Sequence, residues 1–427
     1  MAKREIELAI VGGGIGGLAL AAGLLHRGLN LQIYEAAPEF SEIGAGVAFG
    51  PNSVSAMSKI APGVLEAYTS QSTENGDPKE RATWFDFHHG VGDIKQIHKV
   101  APRNAEVGLT SVHRAHFLDG LAALVPKDIA HFGKRLTSLE EQPSGRIKLV
   151  FNDETTAEAD AVIGCDGVRS KVRPMVLGPE SKNVTACYSN KYAYRGLVPM
   201  DKAAKVLGDY YARNGQMYLG PNGHVLTFPI EHGNTMNVVA FQTGTGSWEQ
   251  ERWVLPTPKE DRMQDFAQWN EKVLHILDIM EDKGVWALFD HPPAETFYKG
   301  RIALLGDAAH ASTPHQGAGA GQALEDAFIL SSLLGDDSVR TPSDIVAAFK
   351  AYDSVRRPRS QKVVTTSREA GMLYDFQDLN AGADPVKIKE ALMGMYEWIW
   401  SENLDEQFEQ SRRLLPQSLG LFGFDLY

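Results

Sequence analysis

The sequence predicts an α/β fold in three parts: a parallel strand-and-helix domain assembled from separated stretches of chain, an antiparallel sheet inserted into it, and a helical C-terminal region. Three observations carry this. Glycine-bearing turns at 12–17, 160–169 and 301–326 each accompany a short apolar run of strand character. Between the second and third, residues 186–241 break into short β segments divided by Asn-Gly, Gly-Pro and His-Gly-Asn turns. After Asp337 the pattern turns mostly helical.

The first element is the apolar run 6–11, which reads as a buried parallel strand, followed by Gly12-Gly13-Gly14-Ile15-Gly16-Gly17 and an Ala/Leu helix over 18–25. In this order each glycine meets a steric need. Gly12 permits the tight turn, Gly14 lets the backbone approach a pyrophosphate, and Gly17 lets helix and strand pack closely. The helix N-terminus offers N–H groups and partial positive charge to the phosphate. A second strand, 31–34, ends at Glu35, about 18 residues beyond Gly17, near the spacing of a carboxylate that binds a ribose. That carboxylate would repel a 2′-phosphate, so an unphosphorylated adenosine is expected here.

The second element is the strand 160–164, ending in Asp166-Gly167, with a helix expected from Ser170. Asp166 is suited to accept from backbone N–H groups and brace the pyrophosphate region, while Gly167 tolerates an unusual backbone angle. The third is the strand 302–305, then Gly306-Asp307 and the loop Pro314-His315-Gln316-Gly317-Ala318-Gly319-Ala320-Gly321. Asp307 is placed for ribityl hydroxyls, the glycines admit a flat ring, and the following helix can stabilise charge on a reduced flavin. The three segments together describe a site for one FAD, hence a Rossmann-like FAD-binding domain (GR2-type).

Residues 1–70, 101–180 and 295–340 are assigned to that domain, 71–100 and 181–294 to the inserted substrate-binding sheet, and 341–427 to the helical C-terminal region. Strands are expected at 193–198, 216–219, 225–228 and 236–241, and loops at 70–80 and 254–262. A helix over 343–356 is expected to end at Pro358, and the tail rich in Leu, Trp and Phe to pack on the body.

The 427 residues suffice for two moderate domains, and 43% apolar with 22% charged content is ordinary for a soluble chain. A net charge of -12, with no basic cluster among aromatics, argues against a nucleic-acid partner. Two cysteines, Cys165 and Cys187, cannot make a disulfide framework or a structural zinc site, and no metal ligand set is expected. No apolar run reaches 18 residues, so no membrane span is expected, and the N-terminal apolar stretch is too short for a signal peptide. A cytoplasmic location is the expectation.

With these motifs in order, residues 7 to about 359 resemble the group A flavoprotein aromatic hydroxylases of the para-hydroxybenzoate hydroxylase fold. Within that family the chain is most similar to the salicylate hydroxylases, on Phe40-Ser41-Glu42-Ile43-Gly44-Ala45-Gly46-Val47, Ser111-Val112-His113-Arg114, Ala193-Tyr194-Arg195-Gly196, Gln216-Met217-Tyr218-Leu219-Gly220, 223–229 and 314–319. The resemblance implies FAD contacts from Ala36, Gly46, Val47, Arg114, Asp307, Pro314, Gly317, Ala318, Gly319 and Ala320. It implies that the sheet bearing Met217, His224 and Phe228 roofs an aromatic acid, and that NADH or NADPH binds transiently as co-substrate with O2. After Trp84-Phe85-Asp86-Phe87, where bacterial relatives tend to carry arginine, this chain has His88-His89, so the substrate carboxylate falls to Arg195 or a protonated histidine such as His88.

The implied reaction converts salicylate to catechol and carbon dioxide. Deprotonation of the phenol is the step where a side chain acts, and a histidine tuned near neutrality suits it; His315 and His224 are the candidates. The alternatives are a hydroxylase of another phenolic or hydroxy-heteroaromatic acid, a dearomatising phenol hydroxylase, or a flavin-binding protein without turnover. A monomer or homodimer is expected.

Overall fold

The computed structural model describes residues 6–41, 46–103 and 105–415. Its organising element is a six-stranded sheet in the order Tyr298–Lys299, Ile302–Leu304, Ala161–Gly164, Glu7–Val11, Asn30–Tyr34, Ala130–His131. The four inner strands are parallel, and Val11 pairs with both Gly164 and Tyr34 while Gly164 pairs with Leu304. This register brings the three glycine-bearing turns, far apart in sequence, to one carboxyl edge. Apolar residues such as Ile10, Ile33 and Ile163 are fully buried, as a parallel sheet covered on both faces requires.

Two glycines show why no other residue serves at the first turn. Gly12 has φ +105°, and a Cβ there would sit 2.4 Å from the carbonyl oxygen of Cys165. A Cβ on Gly17 would sit 2.1 Å from the Gly12 carbonyl oxygen. The helix Ile15–His26 therefore lies flush on the strand edge and packs against the helices Gly319–Gly335 and Pro51–Ile60.

The second sheet has eight strands, in the order Val254–Leu255, Glu281–Asp290, Cys187–Pro199, Thr235–Thr243, Gly223–Ile230, Gln216–Gly220, Phe85–His89, Gln96–Val100. It is not wholly antiparallel as expected: Gln216–Gly220 pairs parallel with Phe85–His89. The long stretch of chain between them supplies the crossover that parallel pairing needs. Alternation gives the sheet two apolar faces. Met217, Phe228 and Phe241 share one cluster, whereas Tyr218, Val225 and Ala240 join the helices Met200–Leu207 and Glu271–Ile279 on the other.

Several boundaries differ from expectation. The stretch 254–262 is not all loop, since Val254–Leu255 adds a strand and a helix Lys259–Asp265 starts after Pro258. Likewise 70–80 contains a short strand, Thr73–Glu74, and a 3₁₀ turn at Pro78–Glu80. The helix after Asp166 begins at Arg173, not Ser170.

The largest difference is the helix Pro342–Tyr374, whose 33 residues continue past Pro358. Proline in a helix interior costs about 3 kcal/mol. Here buried ion pairs hold the helix on both sides of it: Arg356 Nη1 and Arg359 Nε donate to Glu325 at 2.6 and 2.7 Å, and Arg356 Nε to Asp326 at 2.8 Å. The region beyond is helical, with Pro385–Met395, Glu397–Trp400 and Leu404–Arg412; the expected packing of the tail falls in part on 416–427, outside the described residues. No helix among the described residues is long and apolar enough to cross a membrane.

Candidate active site

A cavity of about 500 Å³ opens between the carboxyl edge of the parallel sheet and the Met217 face of the eight-stranded sheet. Two helix N-termini line it. Ile15–His26 contributes Ile15 and Gly16 with Gly14, the residue that caps it, and Gly319–Gly335 contributes Gly319 and Ala320; neither first turn carries an acidic residue. Both ends therefore present unpaired N–H groups and partial positive charge to the same space. Gly167 lines it too, with φ +74° and open space where a Cβ would be, so a planar or phosphate group can lie against the backbone.

The turns are held from behind. Asp166 does not line the cavity; it accepts from Ser170 Oγ at 2.6 Å and from the N–H groups of Lys171 and Val172 at 2.6 and 3.2 Å, which shapes the loop presenting Gly167. Burial pushes its carboxyl up against these donors. Asp307, which lines the cavity, opens the short helix Asp307–His310. That helix is fastened by the buried Arg173, whose Nη1 donates to the carbonyls of Ala308 and Ala309 at 3.0 and 2.6 Å. Glu35 sits at the end of its strand and accepts from Gly13 N–H at 2.6 Å and Ala37 N–H at 2.7 Å, two of the roughly four acceptor positions of a carboxylate.

Of the other residues expected around a cofactor, Gly46, Val47, Arg114, Pro314 and Gly317 line the same cavity, whereas Ala36 and Ala318 do not. Gly12 and Gly17 act through the strand–helix contact described above. Residues 42–45 of the sequence match lie outside the described residues.

The apolar side is formed by Met217, Leu226, Phe228 and Phe241, and Arg195 enters from the neighbouring strand with its guanidinium 4.8 Å from the Trp286 ring centroid. His88, the other candidate for a carboxylate, faces the opposite way. Phe85 of the same strand points to the cavity, so strand alternation turns residue 88 to the far face, where it is buried, 2.8 Å from Gln216 Oε1 and stacked on Tyr218. His88, expected at the substrate, thus does not line the cavity.

His315 lines the cavity from the turn Pro314–Gln316, and His224 lies directly behind it, fully buried. Nδ1 of His315 is 3.3 Å from Nε2 of His224, and Nδ1 of His224 is 2.7 Å from Oδ1 of Asp375. Lys191 Nζ pairs with Oδ2 of the same carboxylate. Burial lowers the pKa of both histidines, for His315 well below the usual range, so both favour the neutral ring and neither is tuned near neutrality as expected, because each is cut off from water. Asp375 and Lys191 carried no sequence signal: they lie far from the motifs and from each other. Trp253 and Phe289, stacked at 3.7 Å between centroids with Arg169 4.1 Å above Trp253, also line the cavity and escaped notice because neither lies in a motif or an expected strand.

Comparison with known proteins gives the family of the chain. The sequence pattern of the FAD binding domain family fits residues 5–367. The chain is 42% identical over 409 residues to 6-methylsalicylate 1-monooxygenase of Aspergillus terreus, covering 95% of this chain and 91% of that protein. It is 39% identical over 422 residues to a salicylate hydroxylase of Pseudomonas putida, covering 96% and 95%. A solved salicylate hydroxylase substrate complex superposes with a TM-score of 0.85 at 35% identity, covering 96% of this chain and 98% of that one.

Proposed function

Because this chain belongs to the FAD binding domain family and is a salicylate hydroxylase-like, flavin-dependent aromatic monooxygenase, we propose that it catalyses the decarboxylative hydroxylation of a 2-hydroxybenzoate, salicylate in the first instance. The overall conversion takes salicylate, dioxygen, NADH or NADPH and two protons to catechol, carbon dioxide, oxidised nicotinamide and water. When bound, FAD supplies the electron transfer from nicotinamide and the activation of dioxygen. The observation that carries the reading is one cavity in which two acid-free helix N-termini meet an apolar sheet face, with His315 at the junction.

The residues present fit FAD. Gly14 and the first helix N-terminus would hold the pyrophosphate, Glu35 and Ala36 the adenosine ribose, and Asp307 the ribityl chain. Gly46, Val47, Arg114 and the 314–320 loop would hold the ring system. Residues 71–100 and 181–294 form the substrate-binding part of the chain in this reading.

The protein's own work is to bind, orient and deprotonate. Arg195 would pair with the substrate carboxylate, a charge-assisted contact within reach of the cavity. Met217, Phe228 and Phe241 clamp the ring and exclude water. His315, neutral, takes the phenolic proton, so that the ring carbon bearing the carboxylate becomes electron-rich. A ring-methylated salicylate is the second reading, favoured by the 42% identical relative named for 6-methylsalicylate and by the adaptable Met217 in the apolar wall.

Carboxyl-13C-labelled salicylate and 6-methylsalicylate, each incubated with the FAD-loaded protein and reduced nicotinamide, test this. Labelled carbon dioxide in step with catechol or methylcatechol is expected. Hydroxylated product that keeps the label would place the chain among non-decarboxylating hydroxylases.

A further inference from the structure

We propose that Trp286 is a positioning residue for substrate recognition: its indole face, mounted beside a β-bulge of the eight-stranded sheet, holds the Arg195 guanidinium where it meets the carboxylate of a 2-hydroxybenzoate. The inference rests on the reading of Arg195 as the partner of that carboxylate, and adds what aims the side chain.

An arginine side chain turns about several single bonds, so its planar fork selects a carboxylate only when something fixes it. Trp286 is placed to do so. It pairs with Ala193, which belongs to the same apolar cluster as Met217 and Phe228, whereas the paired Tyr194 and Val285 belong to the cluster on the far face. Arg195, two residues beyond Ala193, therefore lies diagonal to Trp286 on the cavity face, within reach of a long side chain. Both residues line the cavity, and the guanidinium stands over the indole 4.8 Å from its centroid. Tryptophan is the aromatic ring that draws a cation most strongly to its face. Among the described residues that line the cavity, the other arginine is Arg114, read at the flavin ring, so Arg195 is the guanidinium on the sheet side.

The strand is shaped to deliver this pair. Between Tyr194 paired with Val285 and Gly196 paired with Asp282, Arg195 alone is opposed by both Lys283 and Gly284. This is a β-bulge, which bends its strand and re-aims the side chains beside it. Gly284 has φ +85°, and a Cβ there would stand 2.5 Å from the Leu255 carbonyl oxygen of the edge strand, so the bulge needs glycine. Nε1 of Trp286 donates to the Lys283 carbonyl at 3.3 Å. That bond ties the indole to the bulge and leaves its face for the guanidinium.

The test is binding, read from the flavin absorbance of the FAD-loaded protein titrated with salicylate and with salicylamide, without nicotinamide. Salicylamide keeps the ring and phenol but has an uncharged amide in place of the carboxylate, so the ratio of the two Kd values isolates the charged contact. Trp286→Leu is expected to weaken salicylate about 3-fold to 30-fold and to leave salicylamide nearly unchanged. In turnover the loss falls on KM, with kcat nearly kept. Trp286→Phe has a ring that draws a cation less strongly and no N–H for the Lys283 carbonyl, so it is expected to fall between; it stands in should the leucine variant lose its flavin.

Arg195→Met completes the cycle. By itself it is expected to cost the preference for salicylate about 10-fold to 100-fold, and Trp286→Leu added to it is expected to cost nothing further, because the indole acts through the guanidinium. A Trp286→Leu protein that binds both ligands more weakly by the same factor makes the indole a wall of the ring pocket and overturns the proposal. So does one that binds both as before. Loss of the preference in Arg195→Met but not in Trp286→Leu defeats the positioning role alone, and an Arg195→Met protein that keeps the preference defeats the reading of Arg195 and the inference with it.

Discussion

His315 and Arg195 occupy the same cavity but serve different stages, so their variants should separate in kinetics. Removal of a positioned proton acceptor costs about 10²-fold to 10⁴-fold in kcat; His315→Ala, assayed at saturating salicylate, is expected to fall in that range. Arg195→Met is expected instead to raise KM about 10-fold to 100-fold, the worth of one charged hydrogen-bonded contact. His88→Ala should leave KM alone and lower stability by about 1–3 kcal/mol, since it deprives Gln216 of a buried partner; a raised KM would return His88 to the substrate. These residues also mark how far the sequence could be read. His315 was legible because it sits inside the glycine loop that shapes the cavity. His88 was misplaced because parity along a strand is set by which face the chain buries, and the neighbouring Phe85 and Phe87 had already claimed the cavity face. Asp375 was invisible, because only the meeting of a helix end with a sheet brings its carboxylate to His224.

Among the elements, the strand–turn–helix units are the most legible, since Gly12 and Gly17 state their own steric requirement. Gly12→Ala drives a Cβ into the Cys165 carbonyl at a positive φ, and loss of FAD from the purified variant is the expected outcome; full flavin occupancy would show that the strand edge can yield. The helix Pro342–Tyr374 is the opposite case. Local chemistry says that Pro358 ends a helix, and tertiary chemistry overrules it through Glu325, which meets Arg356 and Arg359 one turn apart on the same face. Glu325→Gln leaves two buried guanidinium groups short of charge, a change worth about 3–5 kcal/mol. Thermal unfolding of the FAD-loaded variant should show a clearly lower midpoint. An unchanged midpoint would assign the continuity of the helix to its apolar face instead.

For the molecule as a whole, the same buried network sets resistance to acid. Burial pushes the Asp326 carboxyl up, but His310 and Arg356 outweigh it and hold its pKa at about 2, below the unfolded value of 3.8. A group lowered on folding stabilises above its unfolded pKa, so Asp326 contributes about 2 kcal/mol above pH 4, lost as pH falls through the folded value. Asp326→Asn should therefore flatten the loss of stability between pH 4 and 2 in denaturant titrations. The overall plan, a parallel sheet carrying three glycine turns with a second sheet over them, was readable because strand ends and turns are local signals. The parallel pairing of Gln216–Gly220 with Phe85–His89 was not, since it depends on where a distant crossover returns. The most direct measurement is nicotinamide oxidation by the FAD-loaded protein with and without salicylate, with catechol quantified in the same vial. Oxidation stimulated by salicylate, with one catechol per nicotinamide consumed, is the expected result; stimulated oxidation that yields peroxide and no catechol would contradict salicylate as the substrate.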